Sequence, residues 1–361
     1  MRRLDANSPF RDHEISDLLV RRIREIAPSD PLKLCHVCGT HEWTITHSGL
    51  RSLLPESVSL IAGPGCPVCI VPAQEIDEAV WLALNGVTVV TFGDMYRVPG
   101  SEFSLEDAKS RGGDVRVVYS VRDAAEMASN GPGMDFVFFA IGFETTAPMN
   151  AVEVPRSPEN LSFLISHRLI PPAIDFLAEM EDLNIDGIIA PGHVSTVIGM
   201  RPYGRFPEEY GMPTVIAGFE PLDVLMGVYM LLRQIESGSP RLENEYSRAV
   251  TYEGNVKAQA AVDEVFDAVD GAWRGLGEIP SSALQLKEEF SGKDARERFE
   301  IDVGLGRDIY PGCSCPQVII GKITPDECPL FMRACTPEKP KGACMVSREG
   351  TCNIWAIHSP L

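Results

Sequence analysis

The sequence is short of basic residues and of long apolar runs. It has 32 Lys and Arg against 51 Asp and Glu, a formal net charge of −19. Because nucleic-acid binding needs clustered Lys and Arg to neutralise phosphates, this balance argues against a nucleic-acid partner and against anionic membrane surfaces. The longest apolar run, 134–143, contains Asp135 and is too short to span a bilayer. No apolar stretch follows Met1-Arg2-Arg3, so we expect a cytoplasmic protein without a secretory leader.

Several nucleotide-binding and catalytic motifs are also missing. The chain contains no P-loop, no G-x-G-x-x-G fingerprint and no G-x-S-x-G elbow of a serine hydrolase. Cysteine is absent from residues 70–312, although the chain has ten: four lie within 35–69 and six within 313–352. In a large cytoplasmic chain, such clustering favours metal ligation or redox chemistry over a static disulfide framework.

The first cysteine group follows the ends of two predicted strands. Residues 32–37 and 58–62 are apolar runs of strand length, and 44–54 predicts a helix between them. A strand–helix–strand unit pairs its strands in parallel, and parallel strands end at one sheet edge, where α/β folds bind ligands. We therefore expect the polar residues after these two strands to share a crevice. They are Cys38, His41, Glu42, Cys66 and Cys69.

The second thiol pair lies in a stiff turn. Gly63-Pro64-Gly65 allows a sharp turn and a close backbone approach, and Pro67 fixes φ between the two cysteines. The C-x-x-C spacing suits either a reversible disulfide or two thiolate ligands to one metal. Buried, inert cysteines are the plainer interpretation, but such cysteines rarely need this glycine and proline setting. Cys35, within a predicted strand, is expected to be a buried free thiol.

A second α/β unit is predicted to begin near residue 134. Three of its strands end in loops with polar side chains, at 142–148, 191–195 and 218–223. Because these loops follow strand ends, they predict the opposite wall of the crevice. An alternative stays open for each loop: acidic and hydroxyl side chains only cap helix N-termini, and the histidine is an ordinary core residue. The predicted wall residues are Glu144, Thr145, Thr146, His193, Glu220 and Asp223.

The C-terminal cysteines lie in a segment rich in proline. Such a segment cannot build a large core, so a cofactor or cross-links must order it. Zinc sites usually have two short C-x-x-C knuckles, whereas the spacings within 313–352 are longer and irregular, which favours a [4Fe–4S] cluster on four thiolates. Zinc remains the alternative, but it has no redox chemistry and could not pass electrons to Cys66 and Cys69. Two thiols would be left over, and they could form a redox pair.

The alternation of strands and helices predicts an α/β fold. We expect two parallel-sheet, Rossmann-like units, a helical connector and a cysteine-rich C-terminal iron–sulfur domain. The expected domains are 1–133 with the first cysteine group, 134–240 with the three polar loops, and 241–361 with the connector and the iron–sulfur segment. Within the last, 244–300 is predicted to be mostly helical and to carry little chemistry.

Five motifs occur in a specific order. They are CGTHE (38–42), GPGCPVC (63–69), GFETTAP (142–148), PGHVS (191–195) and GFEPLD (218–223). Together with the C-terminal cysteines they resemble the signature set of the HypD family of [NiFe]-hydrogenase maturation factors, from about residue 30 to the C-terminus. The resemblance implies a scaffold for assembly of the Fe(CN)₂CO group, working with a HypC-type small chaperone and a HypE-type cyanide donor.

The resemblance also implies roles for the front cysteines. Iron carrying cyanide and carbonyl ligands would sit between Cys38 and the N-terminal cysteine of the chaperone. Cys66 and Cys69 would cycle between thiol and disulfide, and both are further candidate iron ligands. His41 or Glu42 could orient the thiolate, donate a proton or hydrogen-bond a cyanide nitrogen.

For the tail, the resemblance implies a [4Fe–4S] cluster that supplies electrons, similar to the arrangement in ferredoxin:thioredoxin reductase. We assign the cluster ligands to Cys313, Cys328, Cys335 and Cys352. The second redox pair is then Cys315 and Cys344. The main alternative function is a stand-alone, cluster-dependent disulfide reductase acting on a protein partner, and a third is a zinc-stabilised interaction module.

Overall fold

The computed structural model describes residues 12–359, which contain two parallel β-sheets with helices packed on them. The strands are β1 (Leu32–His36), β2 (Val58–Ala62), β3 (Thr88–Phe92), β4 (Val115–Val118), β5 (Phe136–Gly142), β6 (Leu161–His167), β7 (Gly187–Pro191), β8 (Thr214–Ala217), β9 (Leu242–Asn244), β10 (Phe266–Trp273) and β11 (Gly277–Leu286). The helices are α1 (His13–Ile26), α2 (Gly39–His47), α3 (Ala73–Leu84), α4 (Leu105–Ser110), α5 (Val121–Ser129), α6 (Ala147–Glu153), α7 (Ile170–Ala178), α8 (Gly192–Ile198), α9 (Arg205–Glu209), α10 (Pro221–Ser237), α11 (Val256–Val265), α12 (Ala295–Arg298), α13 (Cys315–Ile319), α14 (Ala343–Val346) and α15 (Thr351–His358). The predicted α/β class with parallel sheets is confirmed.

The two sheets divide the chain differently from the expected domains. The first sheet has the order β2-β1-β7-β8-β9, and the second has the order β4-β3-β5-β6. All neighbouring strands in both are parallel. The expected boundary near residue 134 therefore runs between β4 and β5, inside the second sheet, while β1 pairs with the distant β7. Strand–helix alternation shows that parallel sheets form, but does not show which strands are neighbours.

The segment predicted as a mostly helical connector contains a β-hairpin instead. Helix α11 ends at Val265, and β10 and β11 pair in antiparallel fashion. Gly275 and Gly277 in the turn have φ of 70° and 88°, which glycine adopts without steric cost. The prediction was wrong because the apolar residues at 256–269 fit helical spacing across the point where the helix ends.

The central strands are deeply buried. All residues of β5, β6 and β7 are buried, as expected for parallel strands covered on both faces. Helices α1 and α10 contribute apolar side chains to one core cluster with β1, so they cover one face of the first sheet. Within residues 12–359, no helix combines the length and apolarity needed to cross a membrane.

Candidate thiol site

The first two motifs lie against each other at one edge of the first sheet. β1 and β2 pair in register from Leu32 with Val58 to His36 with Ala62, so both strands end at the same level. The Gly39 N–H donates to the Gly65 carbonyl over 3.2 Å. A Cβ on Gly65 would lie 2.2 Å from the nitrogen of Cys38 and 2.3 Å from its Cα, so only glycine permits this approach.

A small cavity of about 10 Å³ lies between these motifs and the C-terminal segment, and we call it the Cys38 cavity. It is lined by His36, Cys38, Gly39, Glu42, Ala62, Gly63, Cys66, Cys69, Ile319, Cys344, Glu349 and Thr351. Cys66 and Cys69 form a disulfide with their Cα atoms 5.3 Å apart. In this state they cannot both serve as thiolate ligands, so Cys38 and Cys344 are the free thiols on the cavity wall.

Cys38 is the N-cap residue of α2 and is partly exposed. The helix begins at Gly39, earlier than the predicted start at Thr44, so His41 and Glu42 lie in its first turns. Burial raises the pKa of the Cys38 thiol to about 11, and the backbone N–H groups of His41 and Thr40 oppose this effect only in part. Burial thus favours the protonated thiol at neutral pH.

The ring N–H of His41 is already used by backbone carbonyls, so it is not available to a ligand in the cavity. Its Nε2 lies 2.9 Å from the Gly218 carbonyl and 3.2 Å from the Ala217 carbonyl, so Nε2 carries the proton and donates to the backbone. Burial, followed by the nearby His36, lowers the pKa of His41 to about 3. The ring is thus neutral, with Nδ1 as an acceptor. This disfavours the predicted alternatives of proton donor and cyanide hydrogen-bond donor, and favours a positioning role.

Glu42 is a fully buried carboxylate with an unusually complete set of donors. His36 Nε2 lies 2.9 Å from Oε2, and Arg51 donates to both oxygens over 2.7 and 3.0 Å. Thr46 and Trp355 donate to Oε1 over 2.6 and 2.8 Å. Burial alone would raise the pKa of Glu42, but Arg51 and His36 outweigh it and hold the pKa well below its usual range. A carboxylate held in this way cannot donate a proton.

Two residues on the cavity wall were missed by the sequence analysis. His36 is buried at the end of β1, and its Nδ1 has no hydrogen-bond partner among residues 12–359. Glu349 is exposed as a residue, but partial desolvation of its carboxyl group and the nearby Asp94 carboxylate raise its pKa. Its backbone packs so closely that a Cβ on Gly39 would meet the Glu349 carbonyl oxygen at 2.6 Å. His36 could have been found from its position beside Cys38, but no local pattern marks Glu349.

Three of the C-terminal cysteines, Cys315, Cys344 and Cys352, lie on the short helices α13, α14 and α15. The thiols of Cys315 and Cys344 interact directly. Cys313 contacts the first of them, and Cys352 contacts the second. The Cys352 N–H also donates to the Cys344 sulfur over 3.3 Å. The two residues assigned as the second redox pair are therefore adjacent and buried.

The remaining two thiols lie at the side of this chain of contacts. Cys335 is within electrostatic range of Cys313 and Cys328, and its sulfur accepts from the Lys341 N–H over 3.3 Å. As the side chains stand, no three His, Cys, Asp or Glu residues in the described part of the chain are arranged to hold a single metal ion.

A second small cavity, which we call the tail cavity, lies on the other side of the disulfide. It is lined by Cys69, Arg274, Asp308, Ile309, Tyr310, Cys313, Cys315, Pro316, Ile319, Gly342 and Ala343. Cys69 and Ile319 line both cavities. The disulfide thus borders both cavities through Cys69, while the tail thiol of Cys344 lines the Cys38 cavity.

None of the six predicted wall residues lines the Cys38 cavity. Glu220 and Asp223 form a reciprocal capping box at the start of α10, and Asp223 is also paired with Arg248. The capping interpretation therefore accounts for both acidic residues. A carboxylate at a helix N-terminus is stabilised by the helix dipole as well.

The other wall residues occupy different settings. His193 is exposed and stacks on Phe219, with ring centroids 3.8 Å apart, and Phe219 also stacks on His41 at 4.9 Å. Thr145 is exposed, and Thr146 is the N-cap residue of α6 without a side-chain capping bond. His193 is connected to the first motif through the intervening ring of Phe219. Glu220 lines a surface pocket together with Thr40 of that motif.

Glu144 is a buried carboxyl group without a cationic partner. Its Oε1 accepts from the Ile170 N–H over 2.8 Å, while Oε2 has no partner among residues 12–359. Burial raises the pKa of Glu144 to about 7, and the backbone N–H groups around it offset only part of that effect. The Glu144 carboxyl group is thus largely protonated below about pH 7, whereas Glu42 stays ionised.

Comparison with known proteins identifies the family. The model of the HypD family, described as "Hydrogenase formation hypA family", matches residues 14–359. The chain belongs to the HypD family. A putative hydrogenase expression/formation protein of Methanocaldococcus jannaschii is 45% identical over 349 residues, covering 95% of this chain and 97% of that protein. The hydrogenase maturation factor HypD of Cupriavidus necator is 45% identical over 357 residues, covering 95% and 94%.

A third HypD relative, from Rhizobium leguminosarum bv. viciae, is 44% identical over 364 residues, covering 96% of this chain and 94% of its own length. The resemblance to the HypD family drawn from five motifs is therefore confirmed. The match extends across both sheets and the C-terminal cysteines, so this HypD-family chain spans nearly the whole length of these relatives.

Proposed function

We propose that this HypD-family chain is a scaffold on which the Fe(CN)₂CO group of [NiFe]-hydrogenase is assembled. The names of its relatives refer to hydrogenase expression, formation or maturation. One observation carries the proposal: the free thiol of Cys38 and the Cys66–Cys69 disulfide line one cavity, which the cysteine-rich tail closes. This proximity supports a metal anchor acting beside a redox couple.

Cys38 is the proposed anchor for the iron cargo. A soft thiolate suits iron that carries strong-field diatomic ligands. The partial exposure of Cys38 leaves room for a second thiolate from a HypC-type chaperone. His41 and Glu42 act here as positioning residues, because their polar atoms fix α2 to the first sheet and to the tail. A HypE-type protein is the proposed cyanide donor.

Cys66 and Cys69 are the proposed redox couple, whose reduction takes up two electrons and two protons to give two thiols. Cys313, Cys328, Cys335 and Cys352 are the residues that would hold a [4Fe–4S] cluster. Such a cluster supplies electrons one at a time. The direct contact of Cys315 with Cys344 supports their assignment as the intervening pair. The eight free thiols favour a reducing, cytoplasmic location.

The test is infrared spectroscopy on protein co-purified anaerobically with its small chaperone. The wild type is expected to show cyanide and carbonyl stretching bands together with the cluster chromophore. Cys38→Ala should abolish these bands and keep the chromophore, because it removes the anchor and leaves the tail intact. Cys35→Ala is the matched control, since Cys35 is a buried free thiol in β1, the strand that leads to Cys38. Bands that persist in Cys38→Ala would refute the anchor.

A stand-alone disulfide reductase is the second candidate. It is favoured by the position of the disulfide beside the tail cavity, which does not require Cys38. Cys38→Ala separates the two functions: a reductase should retain its dithiol turnover with a protein disulfide, whereas the scaffold should lose its iron cargo. Zinc without iron or sulfide in anaerobically purified protein would remove both and leave an interaction module.

A further inference from the structure

Arg274 lies at the turn of the β10–β11 hairpin, next to the disulfide loop. Its backbone N–H donates over 2.9 Å to the carbonyl of Ile70, the residue after Cys69. Its side chain is 5% exposed and lines the tail cavity together with Cys69, Cys313 and Cys315. The hairpin therefore carries a guanidinium group to a space otherwise bordered largely by thiols and apolar side chains.

The charge of Arg274 is only partly compensated. Nε donates to the Asp308 carbonyl over 2.9 Å and Nη2 to the Pro99 carbonyl over 2.8 Å. Nη1 is buried and has no hydrogen-bond partner within residues 12–359. Over the same residues, no carboxylate lies within ion-pair distance of Arg274, although Asp308 lines the same cavity. A buried cation in this state is unfavourable unless negative charge develops nearby.

The groups around Arg274 also indicate that its charge is only partly compensated. Burial lowers the pKa of Arg274, whereas the Cys315 and Cys313 sulfurs and the Asp308 carboxylate act in the opposite direction. The Asp308 carboxylate itself is occupied by the backbone N–H groups of Ala73 and Gly275, over 2.7 and 3.0 Å. Asp308 thus positions the loop and the hairpin but does not neutralise Arg274 by direct contact.

We propose that Arg274 is a positioning residue that stabilises the negative charge formed on sulfur while the Cys66–Cys69 disulfide is reduced. The inference rests on the proposed redox function of this pair. When a thiolate attacks Cys69, a new S–S bond forms, the Cys66–Cys69 bond breaks, and Cys66 leaves as a thiolate that takes a proton from water. A second thiolate then attacks the mixed disulfide and releases Cys69. In each step one negative charge is spread over three sulfur atoms, among them that of Cys69, which lines the tail cavity together with Arg274.

The experiment measures the rate at which dithiothreitol, a small dithiol, reduces the disulfide in the anaerobically purified full chain. Quenching by alkylation followed by mass spectrometry reads the pair directly, because the tryptic peptide between Arg51 and Arg97 contains only Cys66 and Cys69 as cysteines. Arg274→Met should react about tenfold more slowly, since it removes the charge and keeps the length and the backbone bond to Ile70. Arg274→Lys should recover most of the wild-type rate.

The direction of the change separates the proposed role from a structural one. A loosened hairpin would expose the disulfide and make its reduction faster, so a slower reaction is specific to the charge. Arg296→Met is the matched control, because Arg296 is ion-paired with Glu78 over 2.8 Å and lines a cavity without cysteines. Its rate should equal that of the wild type.

Three outcomes decide the matter. Equal or faster reduction of Arg274→Met, or equal rates for the Met and Lys variants, would overturn the role of Arg274 while leaving the redox pair intact. A wild-type disulfide that dithiothreitol does not reduce would instead overturn the redox part of the proposed function. If Arg274→Met does not fold, Arg274→Gln tests the same loss of charge with a polar side chain, and its reduction should also be slower than that of the wild type.

Discussion

Glu42 and Glu144 are buried carboxyl groups that follow a strand in each of the two sheets, yet their charge states differ. Glu42 accepts from Arg51, His36, Thr46 and Trp355, and its pKa is held well below the usual range. Glu144 has one backbone donor and no cation, and burial raises its pKa to about 7. The two sheet edges therefore differ in charge state: one holds a carboxylate beside the thiols, and the other holds a carboxyl group that keeps its proton up to about pH 7.

Glu42 and Glu144 make the free energy of unfolding depend on pH in opposite directions. Because the pKa of Glu42 is lower in the folded chain than in the unfolded chain, its contribution is present above the unfolded value and is lost as the pH falls. The pKa of Glu144 is higher in the folded chain, so the folded state binds more protons between pH about 4.5 and 7. The contribution of Glu144 to the free energy of unfolding therefore decreases as the pH rises from about 4.5 to 7.

The largest expected effect is that of Glu42→Gln. The substitution leaves the Arg51 guanidinium without its counter-charge and His36 with a weaker partner, and both would lie beside a buried neutral amide. We expect the free energy of unfolding at pH 7 to fall by about 3 kcal/mol, as for other broken buried ion pairs. Urea denaturation followed by circular dichroism measures it.

The control for Glu42→Gln is Glu56→Gln, which changes the same chemical group at an exposed position. That variant should unfold within about 0.5 kcal/mol of the wild type. A loss of the same size in both variants, or no loss in Glu42→Gln, would show that the Glu42 network does not stabilise the fold.

Glu144→Gln should act in the opposite direction and depend on pH. Its amide oxygen can still accept from the Ile170 N–H, but the variant has no carboxylate to ionise. At pH 8 we expect it to be about 2 kcal/mol more stable than the wild type, and at pH 5 the difference should vanish or reverse. Unfolding curves across this pH range measure the crossing. A constant difference at all pH values would contradict the raised pKa of Glu144.

Trp355→Phe is expected to have the smallest effect of the three. It removes the hydrogen bond from Nε1 to Glu42 but keeps an aromatic ring beside Arg51, whose guanidinium carbon lies 5.3 Å from the ring centroid. We expect a loss of about 1 kcal/mol in the free energy of unfolding. Trp43→Phe, at a partly exposed ring in α2, is the control. An equal loss in both variants would indicate lost packing rather than a lost hydrogen bond.

Local patterns were sufficient for the parts of the site that depend on neighbouring residues. The strand 58–62 was predicted with its observed bounds, and the Gly63-Pro64-Gly65 turn was expected to allow a close approach, which occurs between Gly65 and Cys38. The start of α2 was placed too late because Gly39 and Thr40 are weak helix formers, although Cys38 in extended geometry serves as the N-cap.

Long-range partners were beyond the reach of these patterns. The three loops of the second unit look equivalent in sequence, but α10 uses Glu220 and Asp223 for capping, and Glu144 lies away from the Cys38 cavity. The hairpin at 266–286 was missed, and with it the position of Arg274. Each depends on residues far apart in the chain, whose contacts leave no periodic signal.

The sequence by itself determined the α/β class and the family, because these follow from strand-length apolar runs and from short motifs of fixed spacing. Only the tertiary structure decided which strands share a sheet, that the disulfide lies between the Cys38 and tail cavities, and which buried glutamate keeps its charge. The physical reason is that pairing, burial and electrostatic compensation are set by the groups that surround a residue after folding. For Glu42 those groups include Trp355, which comes from the opposite end of the chain.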